Sequence, residues 1–155
     1  GDKHTVLEPK DIFDIAEGKI SGDKKAALKA FETLGTVVGD ALANAVTLTD
    51  SVIVIGGGLA NAWKFFAPAM FSQLNGNIYT LNGDPVNRLE MKAFNLEDAT
   101  EKNAFVKGDL RNVNIPFSKK TIGYDPMKRI GVGLSRLGTS QAVSIGAYAY
   151  ALSKL

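Results

Sequence analysis

A chain of 155 residues, 45% of them apolar, is long enough for one domain or for one large lobe of a two-lobed enzyme, and it buries roughly two-thirds of its unfolded surface without staples. Its net charge of +2, from 18 basic and 16 acidic side chains scattered along the chain, is too small to argue for a nucleic-acid binder. The lack of cysteine excludes a disulfide framework and a thiolate zinc site; with no signal peptide and no apolar run near the ~18 residues of a membrane span, a cytoplasmic protein is expected.

Pro9 opens a first helix whose apolar side is Ile12, Phe13, Ile15 and Ala16, and Gly18 ends it. Asp23 is the expected N-cap of a long second helix. From Ala27 through Phe31, Leu34, Val38 and Leu42 to Val46, apolar residues keep a 3.6-residue stripe for about seven turns. Gly35 and Gly39 interrupt that stripe at roughly 1 kcal/mol each against alanine, which points either to close approach of another backbone or to simple tolerance. Ser51–Ile55 is a β-branched run that predicts a buried parallel strand with both faces apolar. Gly56-Gly57-Gly58 breaks it, and a helix is expected over 59–74, kinked or divided at Pro68.

Residues 75–128 are richer in Asn, Gly, Asp and Pro. They predict a strand over 88–94, a short helix over 96–107 and an extended piece over 112–116. A strand over 129–134 and a helix over 140–152 close the chain. The succession of strands and helices predicts an α/β layer fold with a partly parallel sheet.

The sharpest local signal is Val52-Ile53-Val54-Ile55-Gly56-Gly57-Gly58-Leu59-Ala60-Asn61-Ala62, a strand that ends in three glycines and gives way at once to a helix. Glycine allows positive φ, its missing Cβ lets a flat ligand lie on the main chain, and a helix start offers free N–H groups to an anion. Open α/β sheets bind ligands at the carboxyl ends of parallel strands. A purely steric reason for the glycines stands beside this one. The turn is not a Rossmann fingerprint, because Asn61 stands where the third glycine is required; no Lys-Ser/Thr follows, so it is not a P-loop; and no serine lies between the glycines, so it is not a nucleophile elbow.

Three stretches in the right order resemble the ROK family of sugar kinases and repressors: Phe31–Val46 with its spaced glycines and Ala-Leu-Ala-Asn, Val52–Trp63 with the triple glycine, and Leu137–Ala149. The resemblance covers about 22–74 and 129–152 and is strongest to glucokinase-like members. It implies an α/β fold of the actin-like ATPase (ribonuclease H-like) kind, a mixed sheet flanked by helices, with residues 1–155 forming the carboxy-terminal, nucleotide-side lobe of a sugar kinase. It also implies adenosine contact by Gly56, Gly57 and Gly58, and by Leu59, Ala60 and Asn61 after them. ATP with magnesium would be the phosphoryl donor of the whole enzyme, a hexose such as glucose the acceptor, an amino-terminal lobe the partner across the cleft, and a homodimer the assembly, with no membrane and no nucleic acid in the kinase reading. The family's phosphate loop, catalytic aspartate, sugar-binding glutamate-glycine-histidine element and cysteine-rich zinc motif are absent from these residues, so the chain alone is expected to be inactive. Residues 75–128 read as an insertion. A sugar-responsive repressor lobe and a non-catalytic dimerisation module are the alternatives.

The remaining candidates have plainer readings. Glu97, Asp98 and Glu101 are expected to form the acidic first turn of a helix rather than a metal site. Trp63 and Phe66 are expected in the core, and of Tyr148 and Tyr150, on different faces of the last helix, only one can be fully buried. Asp40 reads as a helix-surface charge, Asp50 as a helix-end charge and Asp84 as a turn residue. Lys24-Lys25, Lys119-Lys120 and Lys128-Arg129 read as solvated surface, His4 as an ordinary exposed residue, and 41–48 as an apolar face left for a partner.

Overall fold

The computed structural model describes residues 7–154, and His4 lies outside them. Helix α1 (Pro9–Glu17) starts on its proline, with the Asp11 carboxylate accepting the Glu8 N–H at 2.9 Å, and stops at Gly18, whose φ of 79° completes a left-handed cap. Helix α2 (Lys24–Thr49) is capped as expected, Asp23 accepting the Ala26 N–H at 3.0 Å. Strand β1 (Ile53–Ile55) follows, then a five-residue 3-10 turn (Gly58–Ala62) and helix α3 (Trp63–Leu74).

Gly35 and Gly39 are buried against α3. A Cβ on Gly35 would overlap the Phe66 carbonyl oxygen, and one on Gly39 would lie 2.7 Å from the Met70 carbonyl oxygen and the Gln73 Cβ. Close approach, rather than tolerance, explains both glycines. The helices meet backbone to backbone, and Phe66, Met70 and Leu74 are buried on the α3 side of the contact. Burying each such side chain contributes about 1.5–3 kcal/mol. Pro68 does not divide α3, which runs through it; the break falls earlier, where the 3-10 turn hands over to α3 at Trp63. Trp63 and Phe66 are core residues, in edge-on contact at 5.6 Å. Phe13, Phe31 and Phe65 tie α1 to α2 and α3, with centroids 5.5–6.5 Å apart.

Strands β2 (Asn77–Tyr79) and β3 (Pro85–Asn87) form a hairpin, β4 (Lys92–Asn95) and α4 (Ala99–Lys107) follow, and β5 (Arg111–Asn114) and β6 (Thr121–Tyr124) form a second hairpin. Strand β7 (Arg129–Leu134) and helix α5 (Thr139–Leu152) complete the chain. The main sheet has the order β1-β7-β4 and is wholly parallel, so the expected mixed sheet resolves into a parallel sheet and two separate antiparallel hairpins. The segment 75–128 supplies β4 to that sheet and Leu89 and Ala93 to the core.

One sheet face, carrying Ile53, Ile55, Ala93, Ile130 and Val132, belongs to the core with α2 and α3. On the other face Phe94 packs on Phe105 of α4, and Gly131 and Gly133 make room for Leu96. That cover stops short of β1. Val54 is 65% exposed, so the expectation of a strand buried on both faces fails there. Every residue of α5 from Thr139 to Leu152 is exposed, Tyr148 and Tyr150 included. The expected apolar face at 41–48 is also absent as such: Ala43 and Val46 are buried, and Leu48 is the exposed large apolar side chain there. No described helix is long and apolar enough to cross a membrane.

Candidate functional site

The parallel pairing of β1 with β7 sets Ile55 opposite Leu134, and the Ser135 N–H donates to the Ile55 carbonyl at 2.8 Å. Both strands therefore release their chains on the same side of the sheet. Gly56–Gly58 leaves β1 there, and 135–139 leaves β7. Between them lies a cleft of about 300 Å³, lined by Gly56, Gly57, Gly58, Ala60 and Asn61 on one wall and by 135–139 on the other. The second wall is a folded turn. The Ser135 hydroxyl donates to the Leu137 carbonyl at 3.1 Å and accepts the Leu137 N–H at 3.3 Å, and Gly138 is the N-cap of α5, with no side chain capping the helix.

Of the three glycines only the middle one is required by its own backbone. Gly57 has φ 88° and ψ −178°, a backbone region essentially reserved for glycine. A Cβ on Gly56 would make ordinary contact with Ser135 at 3.5 Å. At Gly58 the backbone is outside the left-handed region and a Cβ would meet nothing within 4 Å, so neither conformation nor internal packing calls for glycine there. The helical N–H argument weakens, because the element after the glycines is a 3-10 turn of five residues rather than a full helix.

Of the six residues singled out in the turn, five line this cleft. Leu59 does not; it lines a second, larger groove of about 740 Å³ on the opposite side of the turn, between the turn and α1, where Gly58 and Asn61 also appear. Sequence reasoning missed the wall at 135–139. The rule that ligands gather at the carboxyl ends of neighbouring parallel strands would have found it once β7 was paired with β1.

Arg136 is the one charged residue lining the small cleft. Glu97 holds it, its Oε2 accepting from Arg136 at 2.9 Å while its Oε1 accepts the Leu134 N–H at 2.9 Å. Glu97 thus continues the β4–β7 ladder with a side chain and fixes the strand end that forms the cleft wall. The other acids of that cluster act locally, as expected. Asp98 caps α4 through the Glu101 N–H at 2.8 Å, and Glu101 accepts the Asn95 N–H at 2.7 Å. No group of three His, Cys, Asp or Glu residues placed to hold a metal occurs among the described residues.

A scan of protein-family models and a search of curated proteins found no match. Among solved structures the chain is similar to a glucokinase from Parabacteroides distasonis, with 38% sequence identity and a TM-score of 0.84. The match covers 99% of this chain and 41% of that one, so this chain spans less than half the length of the glucokinase it resembles.

Proposed function

We propose that this chain is the nucleotide-side lobe of a two-lobed, ATP-dependent hexose kinase of the ROK family, with glucose as the sugar. The observation that carries this reading is the 38% identity to a glucokinase along 99% of the chain. The site supports it. Gly56–Asn61 form one wall of a cleft at the carboxyl ends of two parallel strands, and Gly58 is left without a side chain that the fold itself would accept. A ligand lying on the main chain supplies the missing reason. Gly56, Gly57, Gly58, Ala60 and Asn61 would hold adenosine from that wall and Leu59 from its far side, with magnesium arriving on the phosphates of the nucleotide.

Phosphoryl transfer needs an in-line acceptor, cations on the developing charge and a group to take the hydroxyl proton. The cleft lining contains no carboxylate and no histidine. In this reading the proton acceptor and the sugar contacts come from a partner lobe, and the whole enzyme is a cytoplasmic homodimer.

The test has two arms. ADP titrated into the chain should shift resonances of 56–61 with a dissociation constant near 1 mM, about −4 kcal/mol. A coupled assay with glucose, ATP and magnesium should stay at background with this chain alone and gain turnover when an amino-terminal lobe is added. Turnover by the chain alone, or no ADP binding at all, overturns the reading.

A further inference from the structure

The segment 75–128 raises two antiparallel hairpins, and both leave the sheet at the end away from the glycine turn. A cleft of about 390 Å³ is lined by Asn75, Gly76 and Asn87 at the base of β2–β3, by Pro126 and Lys128 after β6, and by Lys92 at the start of β4. It lies where parallel strands begin, whereas the glycine turn lies where they end. Each hairpin is anchored at its base by charge. The Arg88 guanidinium donates to Asp40 at 2.5 Å and to Asn44 at 3.1 Å on α2, and Arg129 donates to Asp125 at 2.6 Å after β6. Beyond these anchors every residue of 77–87 and of 111–124 is exposed. Leu81 and Phe117 are wholly so, and Tyr79, Ile122 and Tyr124 more than half so. Phe117 also takes φ 59°, a left-handed backbone uncommon for residues other than glycine, so strain and a bare aromatic ring meet in one residue. A two-stranded hairpin is marginally stable in water, and each strand here keeps an open edge.

Together the two hairpins present on the order of 1,000 Å² of large apolar side chain, which matches the ~800 Å² that each partner brings to a specific interface. Their charges are opposite in sign. Residues 77–87 carry one acid, Asp84, and no base; residues 111–124 carry Arg111, Lys119 and Lys120 and no acid. Two surfaces of opposite sign on one chain complement each other across a two-fold axis, where each meets the other twice. We propose that the hairpins are the surface on which a second copy of this chain docks: β2–β3 of one copy lies on β5–β6 of the other, Tyr79 and Leu81 against Phe117, Ile122 and Tyr124, with Asp84 beside Lys119 and Lys120. This contact sits at the end of the sheet opposite the candidate site and does not rest on the nucleotide reading. Association depends on concentration, so the dilute chain is a monomer with bare hairpins, and substitutions there leave the monomer's own stability alone.

The test is sedimentation equilibrium of the 155-residue chain at low salt across the micromolar range, where dimers are expected at the upper end. Leu81→Asn and Phe117→Asn should each weaken association about tenfold, the scale of losing a large apolar anchor. Asparagine suits the left-handed backbone at 117, and both sites are exposed, so the amide spectrum of each dilute variant should remain that of the parent. Asp84→Lys, and Lys119→Glu with Lys120→Glu, should each weaken association about fivefold, the scale of a few exposed charge contacts. An equimolar mixture of these two charge variants should dimerise again, because the mixed pair sets an acid against a base at both contacts. Tyr148→Ser on the exposed helix α5 is the control and should change nothing. A chain that stays monomeric, hairpin variants that dimerise like the parent, charge variants that fail to rescue each other, or a dimer lost on Tyr148→Ser overturns the assignment. ADP binding is read separately: its absence overturns the nucleotide reading and leaves this one standing, and monomeric variants should retain it.

Discussion

Helix α3 and the β5–β6 hairpin carry similar runs of large apolar side chains, and the two runs meet opposite fates. Phe66, Met70 and Leu74 on α3 are at most 3% exposed, whereas Val113, Ile122 and Tyr124 on the hairpin are at least 44% exposed and Phe117 at its tip is wholly exposed. Hydrophobicity does not separate them. What separates them is a neighbouring backbone close enough to exclude water: α3 has α2, brought in by Gly35 and Gly39, while the strands of the hairpin pair only with each other. The hairpin is instead held at its base by charge. Asp125 accepts from the Arg129 guanidinium at 2.6 Å and from the Met127 and Asp109 N–H groups at 3.0 and 3.2 Å, and Arg129 also lies 5.6 Å over the Phe105 ring.

Four measurements would break or sharpen this contrast. Leu74→Ala removes a fully buried side chain from the packed region and should lower stability by about 3 kcal/mol in urea denaturation. A loss below about 1 kcal/mol would mean that the α2–α3 contact closes over the gap. Asn75→Ala probes the join between α3 and the parallel sheet. The Asn75 side chain accepts the Ala93 N–H at 2.8 Å and donates to the Ala93 carbonyl at 2.9 Å, standing in for a strand neighbour at the free edge of β4. Its removal should cost about 1–2 kcal/mol and speed exchange of the Ala93 amide.

The third measurement is acid titration of the hairpin's base. Chiefly the hydrogen bond from Arg129, and then that from the Met127 N–H, hold the Asp125 carboxyl below its usual range. A depressed carboxylate contributes stability that is whole above its unfolded-state value and is lost as pH falls through its folded-state value. Amide exchange across 111–124 should therefore be unchanged at neutral pH and accelerate below about pH 4, and Asp125→Asn should abolish that transition. The smallest effect belongs to Phe117→Ser, which should stay within about 0.5 kcal/mol of the parent, since nothing is uncovered by it. A large loss there would show that the tip is covered in solution.

The elements that were legible from sequence are those whose signal is local. Pro9 and Gly18 bracket α1, Asp23 caps α2, and the stripe from Ala27 to Val46 lies on the packed face of that helix. The two hairpins were not legible as pairs. Asn77–Tyr79 and Pro85–Asn87 are too short and too polar to alternate visibly, and only their mutual hydrogen bonds define them. β1 was misjudged because an apolar sequence reports what a strand could bury, not what stands above it; the layer over Phe94 ends before Val54. At the candidate site the glycine turn was visible as a break in β propensity. Its opposite wall at 135–139 has no composition of its own and becomes apparent only through the register of Ile55 with Leu134. The third glycine is the instructive case, since the sequence shows three equal letters and the backbone requires glycine only at Gly57.

The α2–α3 contact joins neighbours in the chain, whereas the cleft depends on a register that matches Ile53 with Val132 across half the length of the chain. Closing a short loop costs less entropy than closing a long one, and contacts of high sequence separation slow folding. The helical pair is therefore the natural early product of folding, and the two walls of the cleft are assembled late, when β7 docks between β1 and β4. Whatever settles between those walls meets only chains whose folding is complete and adds its binding energy to that finished state alone.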